Sequence, residues 1–135
     1  MKLIYIAGPF RGRTPWDVEE NIRRAERVAL AVWQAGAAAL CPHTNTRFFN
    51  GAAPDDIFLR GTMEMLRRSD AVFLTYGWPD SKGTIAEIDE AFSRNLPIFD
   101  EGSMFRRWLF NNESCGLTLP ALSERMNRYR RLPKF

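Results

Sequence analysis

The 135 residues carry 45% hydrophobic and 26% charged side chains, a balance that excludes a disordered chain and supplies enough apolar mass for one domain with a real core. No apolar run approaches the ~18–20 residues that cross a bilayer, and Met1-Lys2-Leu3-Ile4-Tyr5-Ile6 enters a strand directly, so no membrane partner and a cytoplasmic location are expected. The net charge of +3 is uneven: Arg125, Arg128, Arg130, Arg131 and Lys134 against Glu124 put +4 on the last dozen residues and leave −1 elsewhere. No basic stripe continues that tail, which favours a solvated helix face or a subunit contact over a nucleic-acid polymer.

Residues 2–7 are almost continuously apolar, as buried parallel strands are, and they run into Gly8-Pro9-Phe10-Arg11-Gly12-Arg13. Thr14 is placed to cap a helix with Pro15 at its first position and Asp17, Glu19 and Glu20 near its start. Val18, Ile22, Ala25, Val28, Ala29, Val32 and Trp33 keep a helical period until Gly36. Ala37 to Cys41 reads as a second strand, closed by Pro42, and residues 43–53 as a polar loop.

Pro54-Asp55-Asp56 starts another helix with Leu59, Met63 and Leu66 on one face, and Ser69-Asp70 leads into a third strand, 71–76. A loop with Gly77, Pro79 and Asp80 precedes a helix over 83–95, ended by Asn95, and Pro97-Ile98-Phe99 forms a fourth strand. Beyond residue 100, Ser103–Phe110 and Leu119–Tyr129 read as helices. Strands alternating with helices over short connections predict an α/β fold, a doubly wound Rossmann- or flavodoxin-like parallel sheet of four to five strands with helices on both faces. The organisation expected is a single domain over 1–135, with a core at 2–100 and a helical extension at 101–135.

Both glycine-bearing turns would emerge at the carboxyl edge of such a sheet, where ligands bind. Glycine lets backbone amides approach an anion, and a helix entry favours negative charge. The first turn lacks G-x-G-x-x-G and has no G-K-[ST], which disfavours classical dinucleotide and NTP binding. Arg11 and Arg13 offer charge-assisted phosphate contacts, although for Arg13 plain exposure is the preferred reading.

In Asp80-Ser81-Lys82-Gly83-Thr84-Ile85-Ala86-Glu87, Ser81 and Thr84 supply hydroxyls for phosphate, for capping, or for both. Glu87 is placed on the first turn of its helix among apolar neighbours, where a carboxylate can serve as nucleophile or base. His43, the lone histidine, has no Cys or His partners in ligand spacing, so a structural hydrogen bond is preferred to a metal role. Cys41 and Cys115 form no C-x-x-C pair and read as reduced, packed thiols. The four tryptophans are scattered as core and rim, with Trp78 set apart by its place just before Ser81.

Tyr5, Gly8, Arg11-Gly12, Ser69-Asp70-Ala71-Val72 and Ser81-x-Gly83-x-x-x-Glu87-Ile88 together resemble the nucleoside 2-deoxyribosyltransferase-like superfamily. Ile4-Tyr5-Ile6-Ala7-Gly8-Pro9 with Cys41-Pro42-His43-Thr44-Asn45 is similar to a small branch of it found in bacteria and phages. The resemblance covers about residues 2–100.

It implies breakage of an N-glycosidic bond, with Glu87 attacking the anomeric carbon and Tyr5 orienting that carboxylate, the logic of retaining glycosidases. A serine rather than an acid at position 81 implies a 5′-phosphate over a free 5′-hydroxyl, so Gly8, Arg11, Gly12, Ser81 and Gly83 become the substrate-binding candidates. Thr62 stands where the superfamily usually has an aspartate early in its helix that handles the leaving base, and threonine is no acid near neutral pH. Glu64 would substitute only in a rotated helix.

The function implied is hydrolysis of a (2′-deoxy)nucleoside 5′-monophosphate, with no metal or other cofactor. Its alternatives are a non-catalytic nucleotide-sensing module and a nucleoside deoxyribosyltransferase. A homodimer with a shared active site is implied too, with Ser103, Asn111 or Asn112 of a second subunit completing it.

Overall fold

In the computed structural model, which describes residues 1–134, four strands among those residues form one parallel sheet in the order β2-β1-β3-β4. They are β1 (Leu3–Ala7), β2 (Ala38–Leu40), β3 (Ala71–Leu74) and β4 (Ile98–Phe99). Between and after them lie α1 (Pro15–Gln34), α2 (Pro42–Asn45), α3 (Asp55–Arg67), α4 (Lys82–Ser93), α5 (Gly102–Asn111) and α6 (Leu119–Arg130), with a 3-10 turn at Trp78–Asp80. This is the expected α/β fold with a four-stranded sheet.

Alternation along the strands sorts the core onto two faces. Ile4, Ile6, Ala71, Phe73 and Phe99 pack with Ala25, Ala29 and Val32 of α1 and Phe105 of α5. Tyr5, Ala7, Val72, Leu74 and Ile98 pack with Leu66 of α3, Ile88 and Ala91 of α4, and Leu122 of α6. Helices therefore cover both faces, and the two central strands are buried from Ile4 to Ala7 and from Ala71 to Leu74, as a parallel sheet requires. The order places β1 beside β3, so the chain winds one way from β1 to β2 and the other way through β3 and β4. The β1/β3 boundary is the topological switch point, where open sheets bind ligands.

Local signals set the helix ends. Thr14 and Asp17 form a capping box: the Asp17 amide donates to Thr14 Oγ1 at 3.2 Å and the Thr14 amide to Asp17 Oδ2 at 3.0 Å. After α1, the Gly36 amide donates to Trp33 O and the Ala37 amide to Val32 O, a Schellman ending. Asn95, at φ 58°, ends α4 in the same way through Asn95 N to Phe92 O and Leu96 N to Ala91 O.

Several sequence expectations are corrected. The segment read as a loop over 43–53 opens with α2, because Pro42 supplies a first helical residue and the Thr44 hydroxyl donates to Cys41 O. Leu59 and Trp33, which keep the apolar period of their helices, are exposed. Helix α3 touches the sheet mainly through Leu66, and α1 through the stripe from Ile22 to Val32. The third strand ends at Leu74, although the Thr75 amide still donates to Ala7 O at 2.8 Å and prolongs the ladder by one bond. Helix α4 starts one residue earlier and closes two earlier than read, at Ser93.

Helix α6 is built into the core rather than left as a solvated tail. Leu117 and Leu122 join the α4-side cluster, and the Leu117 amide donates to Ile98 O at 2.8 Å, covering the edge of β4. Arg125 Nε donates to Asp100 Oδ2 at 2.6 Å and its Nη2 to Glu101 Oε1 at 3.1 Å, with Arg125 and Asp100 both largely shielded. Arg125→Ala is expected to lower stability by about 2 kcal/mol, the scale of hydrogen bonds between charged groups, read as a shift of the denaturation midpoint.

Candidate active site

Gly8 follows β1 and Thr75 follows β3, and the two meet at the switch point. A methyl group on Gly8 would sit 1.7 Å from Thr75 Oγ1, so the first turn tolerates only glycine here. His43, 5% exposed, lies under this turn with Nε2 3.1 Å from Gly8 O and 3.0 Å from Pro9 O. Two carbonyl partners fix that nitrogen as the protonated donor. Burial pushes the His43 pKa down, and its Nδ1 is buried without a partner. The histidine therefore holds the turn as a neutral ring.

On the α4 side of the sheet the structure brings Tyr5, Thr62 and Glu87 together. Tyr5 is almost fully buried, and its hydroxyl interacts with both Glu87 and Thr62. Burial first, then the charge of Glu87, raise its pKa far above the ordinary tyrosine range, so the hydroxyl stays protonated. Glu87 keeps some exposure as a residue, yet its Oε2 is closed off from solvent and has no hydrogen-bond partner. Burial pushes this carboxyl up to about 7, partly opposed by the Tyr5 hydroxyl.

Two placements differ from the sequence reading. With Ser81 as N-cap, Glu87 is the sixth helical residue and lies in the second turn of α4, because the helix begins at Lys82. Thr62 is the eighth of the thirteen residues of α3, so counting from the expected start puts it mid-helix rather than early. Its hydroxyl donates to Leu59 O at 3.1 Å, back along its own helix. Glu64 pairs with Arg67 and Arg68 on the outer side of α3.

The phosphate-binding candidates divide into two groups. Ser81 Oγ accepts from the Thr84 amide at 3.2 Å and bonds the Thr84 hydroxyl at 2.9 Å, so Ser81 is the helix cap. The first amides of α4 have no intrahelical acceptor. Gly83 leaves space beside them, since a methyl group there would meet only Ser81 Oγ at 4.0 Å.

Arg11 and Gly12 are engaged elsewhere. Arg11 Nη2 donates to Asp55 Oδ2 at 2.9 Å in an exposed pair, and a methyl on Gly12 would fall 2.4 Å from Asp17 Cβ. Packing against α1 thus accounts for Gly12 without a ligand. Ser103 and Asn111 lie on α5 and Asn112 just after it, the helix that packs on the opposite face from Tyr5.

Sequence reading missed a polar chain that ties the two turns together. Asn21 Nδ2 of α1 donates to Phe10 O and Arg11 O at 3.2 and 3.1 Å, and its Oδ1 accepts from Arg24 Nη1 at 3.1 Å. The Arg24 guanidinium in turn lies 5.6 Å from the centre of the Tyr76 ring, at the start of the second turn. The only sequence signal was an asparagine inside an otherwise regular helix.

Among the described residues, no group of three or more His, Cys, Asp or Glu is placed to hold a metal ion, and no helix is long and apolar enough to cross a membrane. Cys41 and Cys115 are free thiols.

No curated protein sequence matches the chain. Among the solved structures similar to it are two bacterial proteins. One is the 2-deoxyribosyltransferase of the psychrotolerant bacterium Bacillus psychrosaccharolyticus, 19% identical, with a TM-score of 0.52 over 74% of each chain. The other is a conserved protein from Enterococcus faecalis V583, 17% identical, with a TM-score of 0.61 over 91% of this chain and 85% of that one. At these identities the likeness is one of fold, and that fold is nucleoside 2-deoxyribosyltransferase-like. The model of a domain of unknown function, DUF7768, matches residues 2–100, from before β1 to just past β4 and including Glu87, and the chain belongs to that family.

Proposed function

We propose that this chain cleaves the N-glycosidic bond of a nucleoside or nucleoside 5′-monophosphate through Glu87. The observation that carries this reading is the state of the Glu87 carboxyl: one oxygen is buried and unpartnered, beside a permanently protonated Tyr5, at the carboxyl edge of a parallel sheet. In its ionised form the carboxylate attacks the anomeric carbon as the bond to the base breaks, and the bonding pair leaves with the base. Tyr5 donates to the carboxylate and orients it. In the second step the acceptor attacks the same carbon, Glu87 departs, and configuration is retained overall.

Two acceptors are open to the glycosyl group. Transfer to a second base has the support of the deoxyribosyltransferase neighbour. Transfer to water, with a monophosphate as substrate, rests on Ser81 and the open amides at the α4 entry. Thr62 beside Tyr5 contributes a hydroxyl rather than an acid, so the departing base takes its proton from water. A homodimer that completes the site belongs to the same proposal.

Incubation with a panel of nucleosides and their monophosphates, with and without a second free base, tests the reading. Released base alone marks hydrolysis, and a new nucleoside marks transfer. Tight monophosphate binding without either product replaces the enzyme reading with a sensing module. Ser81→Asp refines the test, because aspartate caps a helix as well as serine does. The variant is expected to keep its fold and to lose about tenfold or more in monophosphate affinity through charge repulsion, with little change for the matching nucleosides. Calorimetry that finds equal losses for both ligand types removes the phosphate from the proposal.

A further inference from the structure

The segment between β3 and Ser81 is held from outside by the end of α6, which lies beyond the region matched by the family. Tyr76 and Asp80 are engaged directly, and Gly77 lies beside them. The Tyr76 ring meets the Tyr129 ring edge-on, with centroids 5.5 Å apart and planes at 69°. A side chain added at Gly77 would come within 3.8 Å of the Tyr129 hydroxyl. That hydroxyl also lies against the Asp80 carboxyl, and Lys134 Nζ closes the group at 3.6 Å from Asp80 Oδ2 and 3.5 Å from the Tyr129 ring centre.

The turn so held supplies the α4 cap. The Asp80 amide donates to Gly77 O at 3.1 Å and the Ser81 amide to Trp78 O at 3.1 Å, and Trp78 is buried in the cluster that contains Leu117 and Leu122. An exposed Lys–Asp pair alone contributes little. A tyrosine that packs edge-on against Tyr76 and lays its hydroxyl by Asp80, with Lys134 over its ring, fixes their mutual positions far better. Arg24, 5.6 Å from the centre of the Tyr76 ring, passes the same constraint to the first turn through Asn21.

We propose that Tyr129, supported by Lys134, is a positioning residue for the α4 entry, so that these two residues at the end of α6, and not the docking of the helix as a whole, form part of the binding apparatus of the candidate site. The ligand part of this proposal rests on the reading of that site as a nucleotide site. The strap keeps Ser81 and the Lys82 and Gly83 amides aimed as a set, and Lys134 offsets the Asp80 carboxylate next to where a phosphate would sit. It does not touch Glu87, so it acts on binding rather than on the chemical step.

The test uses the full chain and compares Tyr129→Ala, Tyr129→Phe and, as a control on α6 docking alone, Arg125→Ala. The probes are the four 2′-deoxynucleoside 5′-monophosphates. Tyr129→Ala is expected to speed amide exchange at Asp80 and Ser81 by about tenfold or more and to raise the monophosphate KM by a similar factor with kcat little changed. Tyr129→Phe keeps the ring packing and should recover most of both effects. Arg125→Ala should lower stability without moving either one.

Unchanged exchange at Asp80 and Ser81 in Tyr129→Ala overturns the proposal, and so does an Arg125→Ala variant that reproduces the KM effect. A wild type that neither binds nor cleaves any probe defeats the nucleotide reading by itself. Exchange at Asp80 and Ser81 then still decides whether Tyr129 holds the α4 entry.

Discussion

Glu87→Gln is expected to cut base release by at least about 10³-fold while leaving the fold intact, because the amide fills the same volume and cannot form the glycosyl–enzyme bond. Full activity in that variant would remove Glu87 from the mechanism. The same substitution has a second readout that needs no substrate. Burial holds the Glu87 carboxyl at about 7 in the folded chain, against 4.5 for the free group. Between those values the folded state keeps a proton that the unfolded state has lost, so the stability contributed by Glu87 is complete below about pH 4.5 and falls as pH rises through about 7.

The loss amounts to roughly 3 kcal/mol at most above pH 7. Glutamine does not titrate, and every other carboxyl titrates alike in both proteins. The stability difference between variant and wild type should therefore grow in favour of the variant by up to that amount from pH 4.5 to 8, whatever its offset at any one pH. A flat difference, measured by urea denaturation across the range, would mean that the carboxyl is not buried as the structure has it. Base release by the wild type should climb over the same interval, because only the carboxylate is nucleophilic. Activity and stability thus move in opposite directions with pH, as expected when a charged nucleophile is held in a poorly solvated site.

The parts of this site that lie on short, strongly patterned segments were legible in the sequence. Tyr5 is opposed to Ile4 and Ile6 by strand alternation, so its face follows once β1 is assigned, and Ser81 announces the start of α4 by its cap chemistry. Depth along a helix was harder to read. Thr62 and Glu87 lie further into α3 and α4 than expected, because at about 3.6 residues per turn the eighth and sixth residues already fall in the third and second turns.

Contacts between distant segments had no local signature at all. His43 under Gly8, Arg11 on Asp55, Arg24 against Tyr76 and Tyr76 against Tyr129 join residues 35 to 53 positions apart, and they meet only because the parallel sheet gathers the ends of its strands at one edge. The exposure of Leu59 and Trp33 has a related cause. Helical periodicity marks an apolar stripe, but how much of its width is covered depends on which helices and strands pack there.

Gly8→Ala is expected to destabilise the chain by about 3 kcal/mol, the upper range for forcing an extra group into a close-packed site. The new methyl would lie 1.7 Å from Thr75 Oγ1, 2.9 Å from Thr75 Cβ and 3.3 Å from its Cγ2. Rotating the Thr75 side chain moves the hydroxyl aside but leaves Cβ in place, so side-chain adjustment gives only partial relief. Backbone movement is opposed from both strands. The Thr75 amide donates to Ala7 O at 2.8 Å, and the ladder pairs Ala7 with Leu74 and Ile6 with Phe73.

From below, His43 Nε2 holds the Gly8 and Pro9 carbonyls, so lifting the turn also breaks that bond. A double-mutant cycle isolates the clash. Thr75→Gly removes all three contacting atoms, so it should be costly alone but make the Gly8→Ala change much less damaging, with a coupling of about 1–3 kcal/mol. Additive effects in denaturant unfolding would show that Gly8 is not limited by Thr75. Coupling at that size would establish that the two strand ends are pressed together at the switch point, and that the first turn has only one way to leave the sheet beside Tyr5 and Glu87.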